Sequence, residues 1–417
     1  MQKIKSLEYS EFAKKYFWMS LFAGLVFLSM FTAKAHAQSY VGQNGAVAIG
    51  FPGCNSASFT PVPGSQNLFI SRQRITSTGG MAGVSGPNDC SGGLQWGLTL
   101  VQLDWTKKQF TLVKPLLDTS VNNAKKLSQA VISGGPMKGA IIKSAYDPNM
   151  VVFNGQYLVS FECVLSEFGP NFGVDGTSSC LSVYDPVKQT IDLSQTQVIV
   201  SGNFSGSGAH HAASVPSLLV FQNTLYVYWS ALEITNNTFT SIAMRGAAID
   251  KTSNGFVIRN SGGKLVKSTD PLTTEVWGPN ANDPFSNSSI DSRLVWVSGK
   301  SVVALAAKGG NGCVSPDGTS KGCFKMAISK STTPLGYHIF NNGIQAASTA
   351  YPSNAQEYTT PITGPDGSHW FLGHFYKPVT NGYSEYRPVP NAQVWQTLNR
   401  GEAIIAFPNT DTANAPN

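Results

Sequence analysis

DPNMVVFNGQYLVSF, the stretch Asp147–Phe161, sets an Asn-Gly pair between two apolar runs that contain β-branched and aromatic residues. Asn-Gly reaches the positive φ angles that a tight hairpin turn needs, so the stretch predicts a β-hairpin. The same form recurs along the chain, at Pro216–Trp229, Asp291–Leu305 and Pro361–Phe375. Repeats of this kind, made of strands, are typical of propeller blades.

A second pair of strands is predicted after each of the first three hairpins, at Cys180–Leu193, Ile242–Ile258 and Phe324–Phe340. Gly97–Val113 has the same form without an obvious first half, and Ala392–Phe407 would complete the last unit. The sequence therefore predicts an all-β fold, a five-bladed β-propeller of four-stranded antiparallel blades. Two successive β-sandwiches are the alternative, which we disfavour because no linker is visible.

The first 37 residues resemble a secretory signal. Lysines precede the apolar run Phe17–Phe31, which is followed by the small-residue site Ala35–Ala37, so we predict cleavage before Gln38. A membrane anchor is the alternative, but the run is short for a span of about 20 residues. We expect a secreted or periplasmic protein with no membrane span after signal removal, and residues 38–417 as a single domain.

The composition points away from nucleic acid as a partner. Charged residues make up only 12% of the chain, the net charge is +6, and glycine occurs 41 times. Because no basic run follows the signal, the chain lacks the electrostatic footprint of a nucleic-acid-binding protein. A nearly neutral surface rich in hydroxyl and amide groups favours a carbohydrate partner, and we expect a monomer.

The six cysteines are predicted to form disulfides, because their number is even and the predicted compartment is oxidising. Connectivity does not follow from sequence, but pairing of nearest neighbours would place one bridge in each of three repeat units. Those pairs are Cys54 with Cys90, Cys163 with Cys180, and Cys313 with Cys323. Metal binding is the weaker interpretation, since the chain has no C-x-x-C pair.

The first strand of each blade opens on the propeller axis, so residues at its start converge from different blades. Alignment of the four hairpins places Asp147, Val215, Asp291 and Thr360 at equivalent positions. A carboxylate that activates water or attacks carbon and a protonated carboxyl that donates to the leaving oxygen would suit glycoside hydrolysis. Other polar residues near these positions are candidates for substrate binding: Tyr146, His210, His211, Arg293 and Tyr358.

Two short phrases, Tyr146–Leu158 and Ala327–Tyr337, look like blade phrases of the five-bladed β-propeller glycosidases of glycoside hydrolase family 43. The resemblance implies that Asp147 is the general base. A second aspartate would tune the pKa, but Val215 stands where the family has it, so Asp291 would fill that role from the next blade. For the general acid the position favours Glu357, with alternatives later in each of two hairpins: Glu162 and Glu233.

The first hypothesis is a secreted glycoside hydrolase, and the second is a propeller that binds glycan or another surface partner without cleaving it. Each candidate also has a structural explanation. Asp147 could form only a turn, Asp291 could pair with Arg293, and Glu357 could be solvated. No cofactor or metal site is predicted from the sequence, although a structural Ca²⁺ stays open.

Overall fold

The computed structural model describes residues 47–49, 58–75, 95–117, 130–165, 177–202, 210–235, 238–277, 294–298, 301–306, 325–331, 334–335, 344–345, 355–379, 382–384 and 402–408. None of these residues belongs to a helix long and apolar enough to span a bilayer. The predicted signal, residues 1–37, lies outside the described residues.

The regular elements of the described residues are strands, which confirms the all-β prediction. From the amino terminus they are β1 Val47–Ile49, β2 Phe59–Pro61, β3 Leu68–Ile75, β4 Gln95–Asp104, β5 Gln109–Leu117, β6 Ile142–Phe153, β7 Gln156–Leu165, β8 Thr177–Asp185, β9 Thr190–Ser201, β10 His210–Phe221 and β11 Thr224–Thr235. They continue as β12 Thr238–Thr252, β13 Gly255–Ile258, β14 Val266–Lys267, β15 Thr274–Trp277, β16 Leu294–Ser298, β17 Ser301–Ala306, β18 Lys325–Ser331, β19 Ile344–Gln345, β20 Ala355–Thr363, β21 His369–Val379, β22 Gly382–Ser384 and β23 Glu402–Pro408.

Within the described residues these strands form five sheets of four or five strands each. The first sheet has the order β2-β3-β4-β5, the second β6-β7-β8-β9-β14, and the fourth β16-β17-β18-β19. The third sheet has the order β10-β11-β12-β13, with β15 also on β12. The fifth has the order β20-β21-β23-β1, with β22 on β21, so strands from both ends of the described chain meet in one sheet. Strands pair antiparallel except β14 with β9.

The four predicted hairpins are confirmed as β6–β7, β10–β11, β16–β17 and β20–β21. The second strand pairs are present as β8–β9 and β12–β13. In the fourth sheet β18 pairs with β19 at Ile344–Gln345, whereas the predicted partner of β18, residues 336–340, lies outside the described residues. The missing first half of the early unit is β2 and β3, which pair ahead of β4.

The first strands of the five sheets contact one another in series. β2 contacts β6, β6 contacts β10, β10 contacts β16, β16 contacts β20, and β20 contacts β2. Hydrogen bonds accompany three of these contacts. The Thr360 hydroxyl donates to the Phe59 carbonyl at 2.7 Å, the Met150 amide donates to the Thr60 hydroxyl at 3.1 Å, and the Leu218 amide donates to the side chain of Asn149 at 2.9 Å.

The apolar cores lie between neighbouring sheets. One cluster joins the first and second sheets and includes Leu100 and Phe161. Another joins the second and third sheets around Trp229, and a third joins the first and fifth around Phe110 and Leu372. Because both faces of the inner strands are covered, these strands read as nearly continuous apolar runs, the pattern that marked the hairpins in the sequence.

The second sheet contains a disulfide. Cys163 on β7 and Cys180 on β8 form a disulfide, with Cα atoms 5.9 Å apart. This confirms one of the three predicted pairs, and the bond lies within a single sheet as predicted. Both cysteines are buried in the core between the first and second sheets. The other cysteines lie outside the described residues: Cys54, Cys90, Cys313 and Cys323.

Candidate active site

A β-bulge interrupts β6 near its middle. Tyr146 pairs with Glu162 and Asn149 pairs with Ser160, so two residues of β6, Asp147 and Pro148, stand against one residue of β7. Asp147 has a φ of 48°, a conformation that aspartate tolerates better than most residues. Bulges re-aim side chains and are frequent beside active sites. The bulge thus decides where the Asp147 carboxyl points.

Asp147 forms a buried ion pair with the first sheet. Its Oδ1 lies 3.3 Å from Nη1 of Arg72 on β3, and the side chains are only 3% and 10% exposed. The guanidinium also lies 5.9 Å from the ring centroid of Tyr146. A buried carboxylate needs such a partner because its desolvation is costly. Arg72 therefore balances the charge of Asp147 at the junction of two sheets.

Glu162, next to the bulge on β7 and paired with Tyr146, is the second carboxyl of the site. Its Oε2 accepts a hydrogen bond from the amide of Val215 at 2.8 Å and another from the hydroxyl of Ser214. Burial, and then the charge of Asp147, raise the pKa of Glu162 from 4.5 to about 7. Desolvation and a nearby like charge both favour the protonated carboxylic acid. Glu162 is therefore the group of this site best suited to hold a proton near neutral pH.

Of the predicted substrate-binding residues, Tyr146 borders this pair and His211 lies on the neighbouring sheet. Tyr146 is partly buried beside Asp147, and burial raises the pKa of its phenol. His211 lies on β10, three residues before the Ser214 that donates to Glu162. The structure thus places Tyr146 beside Asp147, and His211 on β10 about 10 Å along the strand from Ser214.

The other predicted site residues are described only in part or not at all. Asp291 and Arg293 lie outside the described residues. His210 begins β10, and Glu357 and Tyr358 lie on β20, but only their backbone is described.

The register of β20 differs from the alignment made on sequence. Its bulge falls between Glu357 and Thr360, so Tyr358 and not Thr360 corresponds to Asp147. In β10 the bulge falls between Ser214 and Ser217, which places Val215 at the equivalent position, as the alignment had it. Val215 has a φ of 52°, an uncommon conformation for a β-branched residue.

Sequence reasoning ranked Glu162 below Glu357 and did not connect Arg72 with Asp147. A signal for Glu162 was present. If residues are paired outward from the Asn154-Gly155 turn without a bulge, Glu162 pairs directly with Asp147. Directly paired residues of two strands have neighbouring side chains, so this pairing already predicts two adjacent carboxyl groups. No comparable local signal exists for Arg72, which precedes Asp147 by 75 residues.

No cluster of three or more side chains suited to a metal ion occurs among the described residues. Among the described residues, the site combines two carboxyl groups, a guanidinium and a phenol.

The chain matches no family model and no curated protein. Among solved structures it is similar to a thermostable family-43 glycoside hydrolase, with a TM-score of 0.47 and 11% identity over 88% of this chain and 92% of that one. An exo-1,5-α-L-arabinanase from a bovine ruminal metagenomic library gives 0.49 and 12%, over 86% and 94%. An arabinanase of Bacillus subtilis gives 0.45 and 11%, over 87% and 96%.

The first of these structures belongs to glycoside hydrolase family 43, the family that the two blade phrases resemble. The similarity extends over most of each chain, but at these identities and TM-scores it assigns no residue of the site.

Proposed function

We propose that this protein is an exported, carbohydrate-active β-propeller that hydrolyses a glycosidic bond in a poly- or oligosaccharide. The observation that carries the proposal is the pair Asp147 and Glu162. One carboxyl is matched by a guanidinium 3.3 Å away, and the other has its pKa raised to about 7. Two carboxyl groups whose environments differ in this way are the arrangement that acid–base hydrolysis of a glycoside requires.

The proposal includes a ring of five blades. The serial contacts among β2, β6, β10, β16 and β20 support it, as does the pairing of β1 with β23, which ties both ends of the described chain into one sheet. Such closure leaves only short sheet edges. It would also bring the bulges of several first strands to one central mouth, where a sugar ring could sit between residues of different blades.

In the reaction we propose, protonated Glu162 donates its proton to the glycosidic oxygen as the bond to the anomeric carbon breaks. Asp147, held by Arg72, either takes a proton from the attacking water or attacks the anomeric carbon itself. In the second case water, deprotonated by Glu162, would then hydrolyse the glycosyl ester on Asp147 and release the sugar. Tyr146 and His211 would contact the sugar hydroxyl groups beside the pair.

Asp291 and Glu357 stay in the proposal as the carboxyl groups of the fourth and fifth blades. Asp291 would tune the electrostatics of the pair, and Glu357 is the rival of Glu162 for the role of general acid. The pKa of Glu162 and its place beside Asp147 support Glu162.

A propeller that binds glycan without cleaving it is the second candidate function. Two observations favour it: Val215 occupies the bulge that is equivalent to that of Asp147, and Arg72 already balances the charge of Asp147. Such a protein would hold sugar at the same mouth but would release no product.

The test is release of reducing sugar by the purified protein from a panel of aryl glycosides, arabinan and xylan. Glu162→Gln should lower the rate by about 100-fold or more, since a positioned general acid contributes ~10²–10⁴-fold. The glutamine oxygen still accepts from Ser214 and Val215, so the fold should persist, which circular dichroism checks. Glu357→Gln is the matched variant on the rival residue.

The outcomes separate the alternatives. If Glu357→Gln abolishes activity and Glu162→Gln does not, the acid is Glu357. If the native protein binds a polysaccharide but hydrolyses none of the panel, the binding function stands and hydrolysis is refuted. If Glu162 is the acid, the rate on an aryl glycoside should also decline as the pH rises past about 7, where Glu162 loses its proton.

A further inference from the structure

A groove of about 840 Å³ lies between the β2–β3 turn and the β4–β5 turn. Amide and hydroxyl side chains line it, together with one tryptophan and one proline: Gln66, Asn67, Gln102, Thr111, Trp105 and Pro365. Pro365 belongs to the β20–β21 turn, so the groove extends from the first sheet to the fifth.

This groove is at the far end of the sheet from the candidate active site. β3 begins at Leu68, next to the groove residue Asn67, and reaches Arg72 four residues later. At about 3.3 Å per residue, the strand carries the chain about 13 Å from the groove to the ion pair with Asp147. A ligand in the groove would therefore occupy a site of its own.

Trp105 is not needed to form its turn. Asp104 accepts the amide of Lys107 at 2.9 Å, and Asp185 in the second sheet accepts the amide of Lys188 at 2.9 Å. The residue after the aspartate is Trp105 in the first turn and a proline in the second.

Both turns then place a residue at a φ of 53° before the next strand begins, Lys108 in one and Gln189 in the other. Because the same turn forms without an aromatic residue, the choice of tryptophan at position 105 has another cause.

One part of the Trp105 ring is covered by packing against the core. Its centroid lies 5.5 Å from that of Trp370, and the ring packs against the core between the first and fifth sheets. The side chain is only partly buried and also lines the groove. It thus offers an aromatic surface held in place by the core, as a rigid stacking platform requires.

The groove carries little net charge. Its two charged side chains, Asp104 and Lys107, pair with each other at 3.3 Å. A ligand recognised by charge, such as a phosphate or an acidic peptide, would find no excess of either sign. An aromatic surface beside amide and hydroxyl groups instead matches the apolar ring face and hydroxyl rim of a neutral sugar.

A second groove continues this surface. It measures about 680 Å³ and is lined by Tyr157 together with polar groups that include Gln156 and Gln195. Its charged side chains are the Asp185–Lys188 ion pair and Asp192, which accepts hydrogen bonds from Ser194 and Gln195. The Tyr157 hydroxyl lies 3.9 Å from the position that a Cβ atom on Gly64 would take, and Gly64 lines the first groove. The two grooves therefore adjoin, which suits a polymer better than a single sugar.

We propose that these adjoining grooves bind a segment of neutral polysaccharide at a site separate from the Asp147–Glu162 pair. Trp105 stacks on a sugar ring, and the amide and hydroxyl groups bind sugar hydroxyls along the chain. The site requires no hydrolysis, so it stands whether or not the proposed catalysis does. Its effect would be to keep the protein on a polysaccharide between encounters with the active site.

Affinity electrophoresis of the whole protein in native gels containing xylan, linear arabinan or mixed-linkage β-glucan tests this proposal. At least one polysaccharide should retard the native protein. Trp105→Leu, which keeps apolar bulk, should weaken binding about 3- to 10-fold, the range for a lost aromatic contact. Trp105→Phe should lose less affinity for the polysaccharide, because it keeps an aromatic ring.

Gln102→Ala provides a second test that leaves the core intact, because Gln102 is exposed. Loss of a hydrogen bond should weaken binding about 3-fold. The control is Leu272→Ala, which removes an exposed apolar side chain outside both grooves and should change nothing.

The proposal is overturned if no polysaccharide of the panel retards the native protein, or if Trp105→Leu and Gln102→Ala bind as the native protein does. Failure of the proposed catalysis is measured separately, because hydrolysis of a short aryl glycoside depends only on the active site and not on the grooves. That hydrolysis should be unaltered in Trp105→Leu.

Discussion

Replacement of Glu162 by glutamine should change how the stability of the protein depends on pH. The glutamine oxygen can still accept hydrogen bonds from the Ser214 hydroxyl and the Val215 amide, as Glu162 does. The variant therefore mimics the protonated acid and cannot ionise. Any difference between the native protein and the variant that varies with pH reports the proton on Glu162.

The sign and size of the effect follow from the pKa of Glu162, which is raised from 4.5 to about 7. Between these values the folded protein holds the proton more firmly than the unfolded chain does. The free energy of unfolding of the native protein must then fall as the pH rises through this window. At 1.36 kcal/mol per pKa unit, the total fall from this group is about 3 kcal/mol.

Urea unfolding followed by tryptophan fluorescence at several pH values between 4 and 8 would measure it. The free energy of unfolding of the native protein minus that of Glu162→Gln should fall by about 3 kcal/mol across this pH window. It should stay constant at lower and at higher pH. Glu275→Gln, at a half-exposed side chain that faces Arg245, controls for the removal of one surface carboxylate and should not reproduce this difference. Parallel curves for the native protein and Glu162→Gln would refute the assignment of a partly buried carboxyl with a raised pKa at this position.

Two further predictions concern the scaffold. Loss of the disulfide in a Cys163→Ala/Cys180→Ala variant opens a loop with a sequence separation of 17, which should cost about 3 kcal/mol in urea unfolding; an unchanged midpoint would contradict this. Gly255→Ala should lower the free energy of unfolding by about 2 kcal/mol or more, because the residue has a φ of 115° and its new Cβ would clash with the side-chain oxygen of Gln197, which accepts the Phe256 amide. Gly262→Ala, at a φ of 62° with no described atom within 4 Å, should cost only about 1 kcal/mol, and equal losses in the two variants would argue against the clash.

The sequence predicted the hairpins well because their signals are local. In β6–β7 the turn at Asn154-Gly155 and the apolar residues on either side set the pairing of Phe153 with Gln156. The first sheet was only half recognised for the same reason. β2 has three residues, Phe59–Pro61, and the connection to β3 is too long to show a two-residue turn, so no local pattern marked the pair.

The bulges shifted what the alignment of hairpins predicted. A bulge adds one residue to one strand, and the apolar pattern continues through it, so Tyr358 could not be told from Thr360 as the counterpart of Asp147. The backbone hydrogen bonds across the sheet decide that register.

The sequence by itself determined four of the hairpins and the turns that join their strands, since turn chemistry and side-chain alternation act over a few neighbouring residues. Only the tertiary structure decided that Arg72 balances Asp147. It also decided that Glu162, hydrogen-bonded to the next sheet through Val215, has its pKa raised by burial and by the charge of Asp147. These properties depend on how much water the packed sheets exclude and on which distant charges they bring together, and neither quantity is encoded in any short stretch of the chain.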